Sequence, residues 1–310
     1  MNSYSIGIDL GGTNLRAAAI DQNGTILAKI SGSTPVAHGP GPVVDDMVQS
    51  VEKLRVEFGV EHLAGIGAGV PGNIDMAKGV IVGWGNMPVF NGYAMRDELS
   101  KRLNTPVILE NDANAAALGE QWMGAGGGVD DLVLLTLGTG LGGGIIVGGR
   151  ILHGQIGMAG EVGHMTISPN GNPCGCGNRG CVEKHASATA ISAMARLLGL
   201  GHDLTAEEVY ELAVQGNGRA IEIFRVMGEA LGIALASLIN IFNFPLFLLG
   251  GGVVAAWKLF APAMLAEVER RSFTYRSTLT TAPTRIEPAK LGGDAGLFGA
   301  AYLPLQDVRR

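Results

Sequence analysis

The sequence predicts an α/β protein of two domains that face each other across a cleft. Apolar runs of strand length alternate with helical patterns along the chain, which is the order of elements in α/β proteins. A strand, a glycine-rich turn and a second strand begin at residue 4, and the same arrangement returns at residue 132. We interpret this repeat as an internal duplication, and 310 residues are enough for two hydrophobic cores.

The individual elements follow from periodicity and from turn residues. In the first half, the predicted strands are 4–9, 15–20, 25–31, 63–69 and 106–110, and the predicted helices are 43–58, 93–103 and one from about Ala113. In the second half, we predict strands at 132–137, 145–147, 150–152 and 246–249 and a helix over 294–302. We expect a small domain of residues 1–115, joined by a C-terminal helix within 294–310, and a large domain of residues 116–293.

Composition excludes several classes of protein. The net charge is −6 and no Lys/Arg cluster occurs, so we expect no nucleic-acid partner. The N-terminus has no basic region and reaches Asp9 almost at once, unlike a signal peptide. The most apolar window, 233–256, is interrupted by Asn240, Pro245 and three glycines, so we predict no membrane span. These features favour a cytoplasmic enzyme.

Two glycine-rich turns, Leu10–Asn14 and Gly138–Gly144, point to a nucleotide. Each precedes an apolar strand rather than a helix, and the chain lacks G-x-x-x-x-G-K-[ST], which disfavours dinucleotide and P-loop sites. Ordinary tight hairpins are the alternative. Consecutive backbone N–H groups in such turns can bind phosphate, so the pair predicts an ATP site. Thr13 and Thr139 would donate hydroxyl hydrogen bonds, and Asp9 would help to place Mg²⁺ through water.

This layout resembles the actin-like (ribonuclease H-like) ATPase superfamily of sugar kinases. The resemblance implies the following ATP-binding residues: Asp9, Gly11, Gly12, Thr13, Asn14, Gly138, Thr139, Gly140 and Gly142. Gly251 and Gly252, which follow strand 246–249, look like the adenosine contact, with a plain turn at the strand end as the alternative.

All three cysteines, Cys174, Cys176 and Cys181, lie within eight residues. An odd number of cysteines in a cytoplasmic chain disfavours disulfides. With His164 they form a Cys₃His set, the complete tetrahedral complement of a structural Zn²⁺, whereas a catalytic zinc would need an open position. The pattern predicts a zinc-binding loop at 164–181, and buried or free thiols are the alternative.

The surrounding pattern resembles one family specifically. It consists of Glu161-x-Gly163-His164, six residues, and Gly171-x-x-Cys174-x-Cys176-Gly177-x-x-Gly180-Cys181-x-Glu183. This matches without departure the signature of the ROK family (repressors, open reading frames, kinases). The similarity runs from the Asp9 hairpin to the Gly292–Gly296 segment, over nearly the whole chain.

Asp112 is the candidate catalytic residue. It follows a strand and precedes a helix, at the sheet edge where open α/β folds bind ligands, although an Asp there could also be the helix N-cap. The resemblance implies that Asn111 and Asp112 bind the sugar and that Asp112 is the base. The substrate-binding set that it implies is Gly72, Asn86, Asn111, Asp112, Glu161, His164 and Glu183.

The resemblance implies ATP-dependent phosphorylation of a free hexose, with glucose and glucose 6-phosphate as the expected substrate and product. Kinases for allose, N-acetylmannosamine, N-acetylglucosamine or fructose remain alternatives. A sugar-sensing repressor is an alternative from another class, but it needs a helix-turn-helix ahead of the first hairpin, and here the first strand begins at about residue 4. An ATPase or chaperone of the superfamily would not need the zinc loop. We also expect a homodimer.

Overall fold

Two five-stranded sheets organise the protein. The computed structural model describes residues 3–12, 14–33, 38–85 and 87–306. By contacts the chain divides into two compact units, each discontinuous in sequence. The first unit takes in the described parts of 1–130, 144–160 and 293–310, and the second takes in 131–143 and 161–292.

The strands are β1 (Tyr4–Leu10), β2 (Asn14–Asp21), β3 (Ile26–Ser33), β4 (Leu63–Val70), β5 (Asn73–Asp75), β6 (Val80–Gly83), β7 (Val107–Asn111), β8 (Leu132–Leu137), β9 (Leu141–Val147), β10 (Arg150–Ile151), β11 (Leu246–Gly250) and β12 (Arg285–Pro288). The helices are α1 (Pro40–Phe58), α2 (Met95–Leu103), α3 (Asp112–Met123), α4 (Ala188–Leu197), α5 (Ala206–Val214), α6 (Gly218–Phe242), α7 (Trp257–Arg271), α8 (Phe273–Thr278) and α9 (Ala295–Tyr302).

The first sheet has the strand order β3-β2-β1-β4-β7. β1, β2 and β3 are antiparallel neighbours, whereas β4 and β7 run parallel to β1. Three alternate residues of β1 are fully buried: Tyr4, Ile6 and Ile8. The buried face of α1, which includes Met47 and Leu54, belongs to the same core. This arrangement places the carboxyl ends of β1, β4 and β7 at one edge of the sheet.

Helix α9 packs closely within the first unit. A Cβ added to Gly299 would lie 1.6 Å from the carbonyl oxygen of Ala115 in α3, and a Cβ added to Gly7 in β1 would lie 2.3 Å from the carbonyl oxygen of Leu297. Only glycine allows backbones to approach this closely. The last described helix is therefore an integral part of the unit that contains β1.

The second sheet has the order β10-β9-β8-β11-β12, which repeats the topology of the first. β11 runs parallel to both β8 and β12. In the second unit, the 25-residue helix α6 buries Ile223, Phe224 and Leu231 among other apolar residues. The shared strand order agrees with the duplication that the sequence predicts.

The predicted α/β class is confirmed, and the elements of the first half agree with the structure to within about three residues at each end. Helix α1 begins earlier than predicted because Pro40 and Pro42 fit the first turn of a helix, where a proline costs no hydrogen bond. The domain boundary predicted after residue 115 falls inside α3, whereas the first unit continues to Asp130. No helix among the described residues has both the length and the apolar character needed to cross a membrane.

Candidate active site and metal site

The carboxyl end of β7 brings two polar side chains to the start of α3. Asn111 caps the helix: its Oδ1 accepts hydrogen bonds from the backbone N–H groups of Ala113 at 2.9 Å and Asn114 at 3.2 Å. Asp112 is the first helical residue and is half-buried, and its Oδ1 accepts from the N–H of Ala113 at 2.8 Å. The N-cap of α3 is therefore Asn111 and not Asp112, and the extended backbone of Asn111 suits that position.

The other end of the Asn111 side chain ties this junction to the loop after β4. Asn111 Nδ2 donates a hydrogen bond to the carbonyl oxygen of Gly72 at 3.1 Å. Gly72 has φ 90°, a conformation that glycine adopts without strain. Gly72, Asn111 and Asp112 thus lie together in the first unit, while Asn86 lies outside the described residues.

The hairpin between β1 and β2 carries the predicted phosphate and magnesium residues of the first unit. The N–H of Gly11 donates to the carbonyl oxygen of Asn14 at 2.7 Å, which closes the turn, and Thr13 lies outside the described residues. Asp9 precedes the turn, 3.6 Å from Arg16 Nε. Burial raises the pKa of Asp9, and the Arg16 guanidinium opposes that rise. A desolvated carboxylate of this kind favours a nearby cation, and carboxylate oxygen is a ligand type that Mg²⁺ takes.

The matching hairpin of the second unit, Gly138–Leu141, is held by the segment that follows Cys181. The N–H of Ala188 donates to Gly138 O at 2.8 Å, and the hydroxyl of Thr189 donates to Thr139 O at 2.7 Å. Two of the loop's carbonyl groups are therefore occupied by hydrogen bonds that fix the turn.

A carboxylate holds the same hairpin from its other side. Glu183 Oε2 accepts from the N–H of Leu141 at 3.2 Å, and a Cβ added to Gly140 would lie 2.3 Å from that oxygen. Position 140 therefore requires glycine for as long as Glu183 keeps this place. Gly142 continues into β9.

Gly251 and Gly252 follow β11 and lie against the end of β8. Gly251 has φ 86°, and a Cβ added to it would lie 2.4 Å from the carbonyl oxygen of Leu137, the residue before Gly138. The two glycine segments predicted to contact the nucleotide in this unit are therefore neighbours.

The structure brings together His164 and the three cysteines. Their four ligand atoms all lie within 4.8 Å of one another. Cys174 Sγ is 3.7 Å from His164 Nδ1, and Cys176 Sγ is 3.7 Å from Cys181 Sγ. Burial raises the pKa of the Cys181 thiol, and its two cysteine neighbours add to that rise.

The geometry of this cluster fits Zn²⁺. Bonds of about 2.3 Å to sulfur and 2.0 Å to nitrogen in a tetrahedron put neighbouring ligand atoms about 3.6–3.8 Å apart, close to the two 3.7 Å separations. The hydrogen bond from Cys174 N to Asn178 O at 2.8 Å closes the tight turn that carries the first two cysteines. Small shifts of these side chains would therefore bring both pairs, Cys174 with His164 and Cys176 with Cys181, into contact with one ion.

Two carboxylates flank the cluster. Glu161 Oε2 lies 3.9 Å from His164 Nε2, the ring nitrogen not directed at Cys174. Glu183 Oε1 lies 4.0 Å from Cys174 Sγ, while its Oε2 accepts from Leu141. Glu161, His164 and Glu183 thus lie together in the second unit, at the edge of the cluster that His164 forms with the three cysteines.

Sequence reasoning missed two charged residues beside Asp112. Glu110 is 1% exposed, and its carboxylate bonds to His153, which lies 43 positions later. The one available signal was a glutamate inside an apolar strand pattern, and nothing in the sequence pointed to its partner. Arg16 and Asp294, whose Nη1 and Oδ1 lie 3.8 Å apart near Asp9, were also missed.

A family model, curated proteins and solved structures all match this chain over most of its length. A family model described as the ROK family matches residues 5–307. A glucokinase from Thermotoga maritima is 37% identical over 312 residues, which cover 96% of each chain. The crystal structure of a ROK hexokinase from Thermus thermophilus superimposes with a TM-score of 0.86 at 36% identity, covering 98% of this chain and 99% of the other.

A second solved structure is that of a ROK family glucokinase from Streptomyces griseus in complex with glucose and AMPPNP. It superimposes with a TM-score of 0.78 at 34% identity and covers 98% of this chain and 100% of the other. Because the family model matches almost the whole sequence, and relatives above 30% identity match over nearly their full length, the chain belongs to the ROK family.

Proposed function

We propose that this protein transfers the γ-phosphoryl group of ATP to a free hexose, with glucose as the substrate and glucose 6-phosphate as the product. The observation that carries this proposal is the half-buried Asp112 carboxylate at the carboxyl end of β7, in a chain 37% identical to a glucokinase over 96% of both sequences. The glucose and AMPPNP complex of a relative at 34% identity supports the choice of sugar and of nucleotide.

Asp112 is the proposed general base. As the sugar hydroxyl oxygen forms its bond to the γ-phosphorus, the bond from that phosphorus to the ADP oxygen breaks, and the hydroxyl proton passes to the Asp112 carboxylate. The start of α3 supports this role, because the Asn111 cap and the hydrogen bond from Ala113 N to Asp112 Oδ1 fix the backbone and the carboxylate there. Asn111, Asp112 and Gly72 are the proposed sugar ligands of the first unit.

The second unit supplies the remaining proposed sugar ligands, Glu161, His164 and Glu183. Carboxylates accept hydrogen bonds from sugar hydroxyls, and all three side chains stay at least partly accessible beside the metal cluster. The four metal ligands are His164 Nδ1 and the thiolates of Cys174, Cys176 and Cys181. A bound Zn²⁺ would supply a fixed point for this loop and no reactive position, because four protein ligands complete its coordination.

The backbone N–H groups of the two glycine hairpins are the proposed phosphate ligands. Support comes from the fixed Gly138–Leu141 turn and from Gly251 beside it. Mg²⁺ near Asp9 would neutralise phosphate charge. Homodimeric assembly and a cytoplasmic location complete the proposal. The first rests on the family resemblance, and the second on the composition and the N-terminal sequence.

An ADP-release assay tests the proposal directly. Purified protein is assayed with ATP and Mg²⁺ against glucose, mannose, allose, fructose, N-acetylglucosamine and N-acetylmannosamine. We expect the highest kcat/KM for glucose. If kcat/KM is higher for an N-acetylhexosamine, that sugar is the substrate instead of glucose, and the protein is still a sugar kinase. If no sugar is phosphorylated, the kinase assignment is wrong. Metal analysis of the same preparation should find one zinc per chain.

A further inference from the structure

Glu110 is a buried carboxylate for which the proposed reaction has no use. It precedes Asn111 at the end of β7 and is 1% exposed. Carboxylates are almost never this buried unless they are paired, because removal from water penalises the charge. The partners of Glu110 therefore define its role.

Both carboxylate oxygens of Glu110 are engaged. Oε1 accepts from the backbone N–H of Asn111 at 2.8 Å and from Nδ2 of Asn114 at 2.9 Å. Oε2 lies 2.6 Å from His153 Nε2. The hydrogen bond with Glu110 raises the pKa of His153, against the effect of burial, so the charged form of the imidazole is favoured in this pair.

Two of these hydrogen bonds involve residues on either side of Asp112 in the sequence. Asn111 precedes it, Asn114 follows it by half a turn, and both are held by the same oxygen of Glu110. His153 belongs to a segment in which Ile156 O accepts from Met76 N at 3.3 Å. The carboxylate thus links the β7–α3 junction to a segment that also contacts the residues after β5.

A purely structural role explains this arrangement poorly. Helix α3 already has its N-cap in Asn111, so the first turn does not need a second acceptor. Buried ion pairs contribute little net stability compared with well-packed apolar residues of similar volume. What the pair provides is direction. Two of the three hydrogen bonds to the Glu110 carboxylate hold Asn111 and Asn114, on either side of Asp112, and the third, with His153, fixes the carboxylate itself.

We propose that Glu110 and His153 are positioning residues, which act through Asn111 and Asp112 by fixing where these two side chains meet the hexose. This inference rests on the proposed function. A misplacement of about 1 Å in a reacting group can cost roughly 10²-fold in rate. The pair therefore determines kcat for the sugar and leaves the affinity for ATP unchanged.

The test compares Glu110→Gln, His153→Leu and His153→Gln. Glu110→Gln and His153→Leu should each lower kcat/KM for the hexose by roughly 10- to 100-fold, mainly through kcat, with KM for ATP within about twofold of wild type. Gln at position 153 keeps an N–H donor toward Glu110. His153→Gln should therefore retain most of the activity that His153→Leu loses.

Combination with Asp112→Asn separates positioning from a general loss of structure. If Glu110 and His153 act through Asp112, adding Glu110→Gln or His153→Leu to Asp112→Asn should lower the residual rate by less than about threefold, because residues of one network are not additive. Multiplicative losses would overturn the proposal. So would Glu110→Gln with wild-type kcat, or equal losses in the two His153 variants.

Arg55→Gln is the matched control for burial. Arg55 is 6% exposed and donates to Leu103 O and Thr105 Oγ1 within the same unit, away from Asp112. Thermal unfolding of all variants gives the folded fraction, and Arg55→Gln should lose stability with kcat of the folded protein unchanged. His153 is 37% exposed, so its variants should fold even if Glu110→Gln does not. A wild-type protein inactive with every sugar would overturn the proposed function and this inference together.

Discussion

The two groups of proposed sugar ligands are held in place by different means. Around Asp112, regular structure holds the site: a strand end, a helix cap and a buried carboxylate with three hydrogen bonds. Around His164, the segment 161–187 contains only single three-residue helical turns and isolated bridges. There the convergence of four ligand atoms replaces regular structure.

This difference implies different sensitivities. Hydrogen bonds within a sheet and a helix persist for as long as the unit is folded, whereas a loop held by a metal loses its order with the metal. Substitution near Asp112 should therefore affect chemistry, and loss of metal should affect binding. The predictions below start from the largest effect that this contrast implies.

Asp112→Asn should lower kcat at least about a hundredfold, because an amide cannot accept the hydroxyl proton and such roles are commonly worth roughly 10²–10⁴ in rate. The amide oxygen can still accept from Ala113 N, so folding, metal content and sugar affinity should stay near wild type. Steady-state kinetics, calorimetric sugar binding and metal analysis measure the three quantities.

Asp97→Asn is the control for this variant, since Asp97 also lies in the first turn of a helix but is exposed. It should leave kcat unchanged. If Asp112→Asn keeps a near-normal kcat, Asp112 is not the base, and Glu161 and Glu183 become the candidates.

Cys176→Ser should lose zinc and raise KM for the hexose at least roughly tenfold, because it removes one of the four ligands. Chelation should have the same effect on the wild type and lower its thermal midpoint. In hydrogen exchange, the amides of Cys174 and Gly177 should lose protection, while that of Asn114 keeps it.

Asn178→Ala leaves all four ligand atoms in place while it removes a side-chain bond to Thr166, and it should retain zinc. Two results would contradict the proposal that a metal holds the region around His164 and regular structure holds the region around Asp112. One is full zinc content in Cys176→Ser, and the other is loss of amide protection at Asn114 on chelation.

Gly140→Ala should raise KM for ATP about fivefold. The added Cβ would displace the Glu183 carboxylate and weaken its hydrogen bond from Leu141, a loss of about 1 kcal/mol that corresponds to about fivefold in affinity. Gly218→Ala is the control, because a Cβ there meets nothing within 4 Å. An unchanged KM for ATP would show that Glu183 does not hold the hairpin in the working enzyme.

The smallest expected effect concerns pH. Because the folded-state pKa of His153 is raised, its pairing with Glu110 contributes stability in full below the unfolded pKa of about 6.5 and loses it as pH rises through the folded value. Wild type should therefore lose its stability advantage over His153→Gln as the pH is raised above about 6.5 in a series of urea unfolding curves. A constant difference across that range would contradict the charged pair. The effect is small because His153 is 37% exposed.

Local patterns predicted most of the first sheet and the convergence of His164 with the three cysteines. The hairpin at Leu10–Asn14 and the spacing of Cys174–Cys181 are both short-range signals. In the structure the two strands of the hairpin pair with each other, and the three cysteines lie close to one another. Helix α9 was predicted within one residue of its start. These features depend on residues that are close in sequence.

Long-range contacts were beyond such patterns. Glu110 and His153 meet across 43 positions, and Glu183 and Leu141 across 42, and neither pair has a spacing that defines a motif. The N-cap considered as an alternative role for Asp112 lies one residue earlier, at Asn111. Asn and Asp are almost equally good caps, so only backbone geometry separates the two positions. Helices α4, α5 and α6 were not predicted at all, although Thr205 and Glu208 form a capping box that signals the start of α5.

The position of α9 has a consequence for how the chain is made. The start of this helix lies against Asp9, since a Cβ on Gly296 would lie 2.7 Å from Asp9 Oδ1. Synthesis proceeds from the N-terminus, so α9 leaves the ribosome after β1, α3 and every segment of the second unit. The faces of β1 and α3 that α9 covers therefore stay unpacked until the whole of the second unit has been synthesised. The carboxylate proposed to place Mg²⁺ therefore gets its full surroundings only after α9 has been synthesised and has packed against it.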